Sequence, residues 1–169
     1  MLNKLKKPAQ IIVIIILMLV YITKFVFVYA NIPTGSMRPL LEPGDKVIAN
    51  FFPYNVLGQP KRFDILIFKT PEFGTEFVTK RLIGLPGDKI QIISGTLYIN
   101  DVKTDEPYLL EAYEGDYGPY NVPSDSFFFL GDNRNGSHDA RFWEDPFIKR
   151  KDIKGIILYE VTDEIEKLF

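Results

Sequence analysis

The chain contains no cysteine, which excludes disulfides, thiolate nucleophiles and cysteine-based zinc sites, and leaves the compartment open. Histidine is almost as scarce, with His138 the only one in 169 residues. A serine nucleophile that relied on a histidine base would need this residue, yet His138 adjoins Asp139. Side chains adjacent in sequence usually point apart, so the two make a poor orienting pair, and a solvent-facing loop histidine is the expectation. Helical periodicity over three turns is missing beyond residue 30. An excess of positive charge is missing too. Four of the 20 lysines and arginines, and none of the 22 acids, lie before residue 31, so residues 31–169 carry about −6 and nucleic acid is not expected as a partner.

What is present is enough apolar material, 46% hydrophobic with 14% aromatic residues, for one domain of ordinary size plus an appendage. The appendage is the run IIVIIILMLVYITKFVFVYA from Ile11 to Ala30, whose single charge is Lys24. Twenty residues at about 1.5 Å each make about 30 Å of helix, the thickness of a hydrocarbon core. Lys24, near one end, can snorkel to the headgroups, and Tyr29 suits the interfacial belt better than Tyr21. Lys4, Lys6 and Lys7 precede the run and acids follow it. The positive-inside rule then gives a cytoplasmic tail over residues 1–8, a single-pass anchor over 9–30 and an extracytoplasmic domain over 31–169. A cleaved secretory signal ending in Val28-Tyr29-Ala30 is the competing reading, but the apolar stretch exceeds the usual length of such a signal's core.

Beyond Ala30, short apolar runs between Pro, Gly, Asn and Asp predict a mainly β, antiparallel-sheet domain. Strands are expected at Lys46–Phe52, Asp64–Phe68, Glu76–Gly84, Asp88–Ile93, Thr96–Asn100, Ser126–Leu130 and Lys154–Val161. Pro43-Gly44-Asp45 and Pro86-Gly87-Asp88 each fit a type II turn, Ser94-Gly95 a tight hairpin, and Asn100-Asp101 a further turn. Residues 89–125 are read as a loop-rich excursion, with the tyrosines of YLLEAYEGDYGPYNVP packed on the sheet.

Ser36 lies in IPTGSMRP, directly after the apolar run, between Gly35 and Met37. With histidine set aside, the remaining base is a lysine, and Lys80 in EFVTKRLI is the candidate. Strand alternation puts Val78, Lys80 and Leu82 on one face and Phe77, Thr79, Arg81 and Ile83 on the other. A lysine on a core face is desolvated, which lowers its pKa toward ~7–8, where an amine works as a general base at neutral pH. Gly35 is expected to allow a tight turn before the nucleophile.

Four segments in order carry a resemblance. They are PTGSMRPLL (33–41), RFDILIF (62–68), KRLIGLPGD (80–88) and GDNRNGSHDAR (131–141). Together they resemble the conserved boxes of type I signal peptidase, the membrane-bound serine protease that removes signal peptides from exported proteins. The resemblance implies Ser36 as nucleophile and Lys80 as general base, with Ser137 accepting a hydrogen bond that orients the amine. It implies an oxyanion hole from the Ser36 backbone N–H and the Thr34 hydroxyl, and Arg81, Asp132, Asp139 and Arg141 as ion-paired supports. By matching position, Ile32, Pro33, Met37, Leu41, Val78 and Thr79 line pockets for an extended substrate cut after small residues, in the A-x-A manner.

Partners are then exported preproteins and the phospholipid membrane, with no cofactor and no metal. Thr34, Leu40 and Ala140 stand where the family often has serine, threonine and serine, and none of these replacements removes a catalytic group. Thr79 is more polar than usual. Phe51-Phe52-Pro53-Tyr54 is a candidate for dipping into the outer leaflet, with core packing the plainer role for Phe51. A non-catalytic peptide-binding relative is the alternative from another class, disfavoured because serine and lysine are both present. A self-cleaving repressor would require a DNA-binding helical domain where this chain has its apolar run.

Overall fold

The computed structural model describes residues 10–20, 27–51 and 59–160. Lys4, Lys6, Lys7, Tyr21, Lys24, the segment 52–54 and Val161 lie outside the described residues. A helix covers residues 10–20, and its apolar side chains from Ile11 to Val20 are about half exposed. Among the described residues no helix is long and apolar enough to cross a membrane. The apolar run does not continue as helix to Ala30. Its last four residues begin strand β1, Phe27–Asn31, which pairs antiparallel with β2, Lys46–Asn50. Phe27-Val28-Tyr29 is a β-branched and aromatic stretch suited to a pleated surface, and here it finds a partner.

The remaining strands are β3 (Ile65–Phe68), β4 (Val78–Gly84), β5 (Lys89–Ile93), β6 (Thr96–Ile99), β7 (Val102–Lys103), β8 (Tyr117–Asn121), β9 (Ser126–Leu130), β10 (Phe147–Lys149) and β11 (Ile153–Glu160). They form a seven-stranded sheet in the order β1-β2-β11-β3-β4-β9-β10 and a four-stranded sheet in the order β7-β6-β5-β8. All described pairings are antiparallel. The excursion at 89–125 carries a second sheet, with a strand-free segment over 104–116 between β7 and β8. Its outer strand β8 has the sequence YGPYN, whose glycine and proline hide a strand signal, and proline is tolerated because β8 lies at a sheet edge.

Both proline–glycine turns form as expected. Asp45 N–H bonds Glu42 O at 3.0 Å and Asp88 N–H bonds Leu85 O at 3.0 Å, with Gly44 and Gly87 at φ +98° and +87°. Ser94-Gly95 and Asn100-Asp101 are two-residue hairpin turns with positive φ at both positions.

The main core joins the two sheets, with Leu66, Phe68, Leu82 and Phe127–Leu130 from the larger and Ile90, Ile92, Leu97 and Ile99 from the smaller. A second cluster of Ile32, Met37, Leu41 and Val47 lies beneath the segment that follows β1. Met37 is 1% exposed, so the residue after Ser36 nails its turn to the sheet.

Candidate active site

Residues Gly35–Met37 form a single 3₁₀ turn, with Ser36 buried in it. Gly35 does not use glycine's special conformations: its φ is not positive, and the three atoms nearest an added Cβ all belong to the flexible Arg38 side chain, at 3.2–3.5 Å. The tight turn is that of an ordinary 3₁₀ helix, which corrects the reason expected for this glycine.

Opposite the turn runs β4. It pairs with β3 through Leu66↔Lys80 and, from Arg81 onward, with β9 through Arg81↔Leu130, so its second half is hydrogen-bonded along both edges while Val78 and Thr79 pair with β3 alone. Val78, Lys80 and Leu82 share the expected buried face, while Phe77 at the strand's entrance is 53% exposed. Lys80 is 4% exposed, and its Nζ lies 2.6 Å from Ser36 Oγ. Burial is the main influence on this amine and lowers its pKa from 10.5 to about 8; Asp139 opposes the fall, Arg141 adds to it, and Asp132 opposes it. At pH 7 a pKa of about 8 leaves about a tenth of the amines neutral and able to accept the serine proton. Thr34 Oγ1 stands 3.3 Å from Ser36 Oγ, on the exposed side of the turn.

Continuing the β4–β9 register beyond Leu130 brings Gly131 beside Lys80, and the chain then turns through Asp132 to Arg141. Arg81 grips Asp132 with two bonds, Nε to Oδ1 at 2.7 Å and Nη2 to Oδ2 at 2.5 Å, and also donates to Phe63 O. Arg141 grips Asp139 likewise, at 2.8 and 2.9 Å, and Asp139 accepts the Gly131 N–H at 3.0 Å. These are buried fork-to-fork pairs rather than loose surface ones.

Ser137 is 5% exposed, but its Oγ has no hydrogen-bond partner among the described residues, so the expected bond to Lys80 is not formed. It packs instead against Gly131, where an added Cβ would stand 2.2 Å from Ser137 Oγ and 2.6 Å from Ser36 O. Only glycine fits between the two serines. His138 turns to the surface and pairs with Glu72 at 2.8 Å.

A cleft of about 120 Å³ opens in front of Ser36 and Lys80. Ile32, Pro33, Met37, Val78 and Thr79 line it as expected, joined by Thr34, Phe73, Glu76 and Phe77. Leu41 does not line the cleft; it is 2% exposed in the cluster beneath the turn, because the chain has already folded under Met37.

Sequence reasoning also passed over three groups around the site. Asn133 donates to Gly35 O, and its backbone N–H bonds Ser36 O. Its one local signal is its place before the turn Arg134–Gly136, which it caps. Arg134 is buried, bonds Gly131 O at 3.0 Å and Tyr113 Oη at 2.6 Å, and pairs with Glu106. Tyr108 stacks on Arg81 with its ring centroid 4.1 Å from the guanidinium carbon. Glu106, Tyr108 and Tyr113 come from the segment between β7 and β8, and nothing local in sequence joins them to a site more than twenty residues away.

Residues 5–161 match the family model described as signal peptidase, peptidase S26. The chain is 36% identical over 146 residues to a probable signal peptidase I-2 of a Synechocystis species, an alignment covering 83% of this chain and 65% of that relative. It is 37% identical over 149 residues to a signal peptidase I of Bacillus licheniformis, covering 82% and 79% of the two chains. A crystal structure of a signal peptidase I from Enterococcus faecalis V583 aligns with a TM-score of 0.53 at 35% identity, over 60% of this chain and 98% of that one. With the ordered segments, the antiparallel sheets and these matches in agreement, the chain belongs to the signal peptidase, peptidase S26 family.

Proposed function

We propose that this protein is a membrane-anchored serine endopeptidase that removes N-terminal signal peptides from exported preproteins, cutting after small residues in the A-x-A pattern. The observation that carries this reading is the 2.6 Å contact between Ser36 Oγ and a lysine amine buried deeply enough to have a pKa of about 8. In its neutral form Lys80 accepts the hydroxyl proton as Ser36 Oγ attacks the scissile carbonyl. The Ser36 N–H and the Thr34 hydroxyl donate to the oxyanion that develops, each such donor being worth about 3 kcal/mol. The Lys80 ammonium then gives its proton to the departing amine, leaving an ester on Ser36. Water, deprotonated by the same amine, releases the signal peptide. Ser137 orients the lysine as substrate enters and the cleft tightens. Substrate lies extended against β4 and the segment before Ser36, bonded by its main chain, with Ile32, Pro33, Met37, Val78 and Thr79 limiting side-chain size.

The anchor belongs to the same proposal. With Phe27 in the sheet, the anchor expected from the sequence shortens to 9–26, and 18 residues are within the lower part of the range that a spanning segment needs. Lys24 then falls close to the outer end, which eases its position, and the N-terminal lysines place the tail in the cytoplasm.

The test is cleavage of a labelled preprotein by the purified full chain in detergent. Ser36→Ala and Lys80→Ala abolish processing, whereas His138→Ala keeps it. A dead His138 variant alongside an active Lys80 variant would sink the serine–lysine reading. A folded wild type that binds preprotein and never cuts it would replace the enzyme with a peptide-binding relative.

A further inference from the structure

Asn133 holds the nucleophile turn from behind. Its Nδ2 donates to Gly35 O at 3.1 Å, its backbone N–H donates to Ser36 O at 3.1 Å, and its Oδ1 accepts the Gly136 N–H at 3.1 Å. One residue thus fixes two consecutive carbonyls of the turn that carries Ser36. The amide's orientation follows from this network, since the nitrogen faces a carbonyl and the oxygen faces an N–H. Asn133 is half-buried, in the same connection as Asp132 and Arg134, whose side chains are locked by ion pairs with Arg81 and Glu106.

The bond to Gly35 O has a specific geometric effect. The Gly35–Ser36 peptide is trans, because the cis bonds are Arg38–Pro39 and Gly118–Pro119. In a trans unit the C=O and the following N–H lie on opposite edges of one rigid plane. Holding Gly35 O therefore aims the Ser36 N–H in the opposite direction, away from Asn133. That N–H is the backbone donor of the oxyanion hole in the proposed function, on which this inference rests. Glycine has no side chain to do this work, and the 3₁₀ turn's own bond to the same Gly35 carbonyl, from the Arg38 N–H, is the longer one at 3.3 Å.

We infer that Asn133 is a positioning residue for the oxyanion hole, aiming the Ser36 N–H by holding the carbonyl at the other edge of the same peptide plane. A preorganised donor helps only if it points at the place where charge develops, so losing this hold lowers turnover more than substrate binding.

Asn133→Asp separates aiming from general support. The carboxylate still accepts the Gly136 N–H, so the capped turn survives, but it has no proton for Gly35 O and repels it. Expected for Asn133→Asp in the full chain is a kcat lower by about tenfold to a hundredfold, with KM within about threefold and a melting temperature lowered by only a few degrees, less than for Asn133→Ala. A peptide aldehyde, whose hemiacetal oxygen occupies the oxyanion position, loses affinity in parallel with kcat. The same peptide with a reduced scissile bond, which has no carbonyl oxygen, binds as before. Asn133→Ala shows the same loss together with a lowered melting temperature.

Asn133→Asp with kcat within threefold of wild type overturns the inference. Equal loss of aldehyde and reduced-peptide binding, in step with a fall in melting temperature, also overturns it and leaves a purely structural role. Ser36→Ala run in parallel keeps the two levels apart. If Ser36→Ala still cleaves, the serine reading fails and takes this inference with it. If Ser36→Ala is dead and Asn133→Asp is fully active, only the inference fails.

Discussion

Replacing Lys80 by methionine removes the proposed base and at the same time relieves the sheet of a buried charge. The pKa of this amine falls from 10.5 to about 8, with burial the largest cause, so near neutral pH the folded chain holds a charged group that water would solvate better. A fall of that size corresponds to about 3 kcal/mol of instability at pH 7. Methionine matches the length of the chain without the charge, and the lost contact with Ser36 returns about 1 kcal/mol. The variant is therefore expected to be inactive and more stable by about 2–3 kcal/mol, roughly 5–10 °C in melting temperature.

The sign of the pH dependence is the sharper part. Below about pH 8 the lysine is protonated in both folded and unfolded chains and the full penalty applies. Between about 8 and 10.5 the unfolded chain binds more protons than the folded one, so wild-type stability rises relative to the variant. The advantage of Lys80→Met should shrink to less than half by about pH 9.5. Thermal melts of both full-length proteins in the same detergent, from pH 6.5 to about 9.5, measure this difference. A variant less stable than wild type at pH 7, or an advantage that does not change with pH, would refute the burial account of Lys80.

The same ionisation sets the activity profile: kcat/KM should climb about tenfold per pH unit below 8 and level off above it, measured by single-turnover cleavage. Gly131→Ala pushes a methyl to within 2.2 Å of Ser137 Oγ and 2.6 Å of Ser36 O, so cleavage should fall by about a hundredfold, while circular dichroism stays that of the folded sheets. Glu106→Ala strips Arg134 of its carboxylate in a site where both side chains are at most 5% exposed, and should destabilise by about 3–5 kcal/mol in denaturant titrations, with Glu106→Gln recovering part of it.

Local chemistry is what made much of this molecule legible. Proline and glycine at fixed positions announced the turns before β2 and β5, and alternation in EFVTKRLI put Lys80 on one face with Val78 and Leu82, all three of them buried. What escaped depends on partners distant in sequence. Residues 27–30, the first four of β1, read as membrane because apolar and aromatic residues serve lipid and sheet equally well, and only β2 decides between them. β8 was hidden by its glycine and proline, and β10 by its three-residue length. Leu41 was assigned to the cleft by its position in a segment, whereas packing beneath Met37 took it into the core. Asn133 lay in a segment already singled out, but its bond to Gly35 spans 98 positions and no periodicity reports it.

The pairing of β1 with β2 bears on where this chain can be cut. Hydropathy alone recommends Asn31 as the start of a soluble fragment, which would discard four of the five β1 residues. The backbone of β2, a strand whose Val47 and Ala49 are fully buried, would then become a bare edge. Such an edge recruits a strand from another molecule, and the yield would be aggregate or a swapped dimer. A fragment that begins at or before Phe27 keeps β2 paired and leaves β1 as the sheet's edge, as in the full chain, at the expense of carrying a few apolar residues. For expression, crystallisation and inhibitor screening, the useful boundary lies inside the apolar run, not after it.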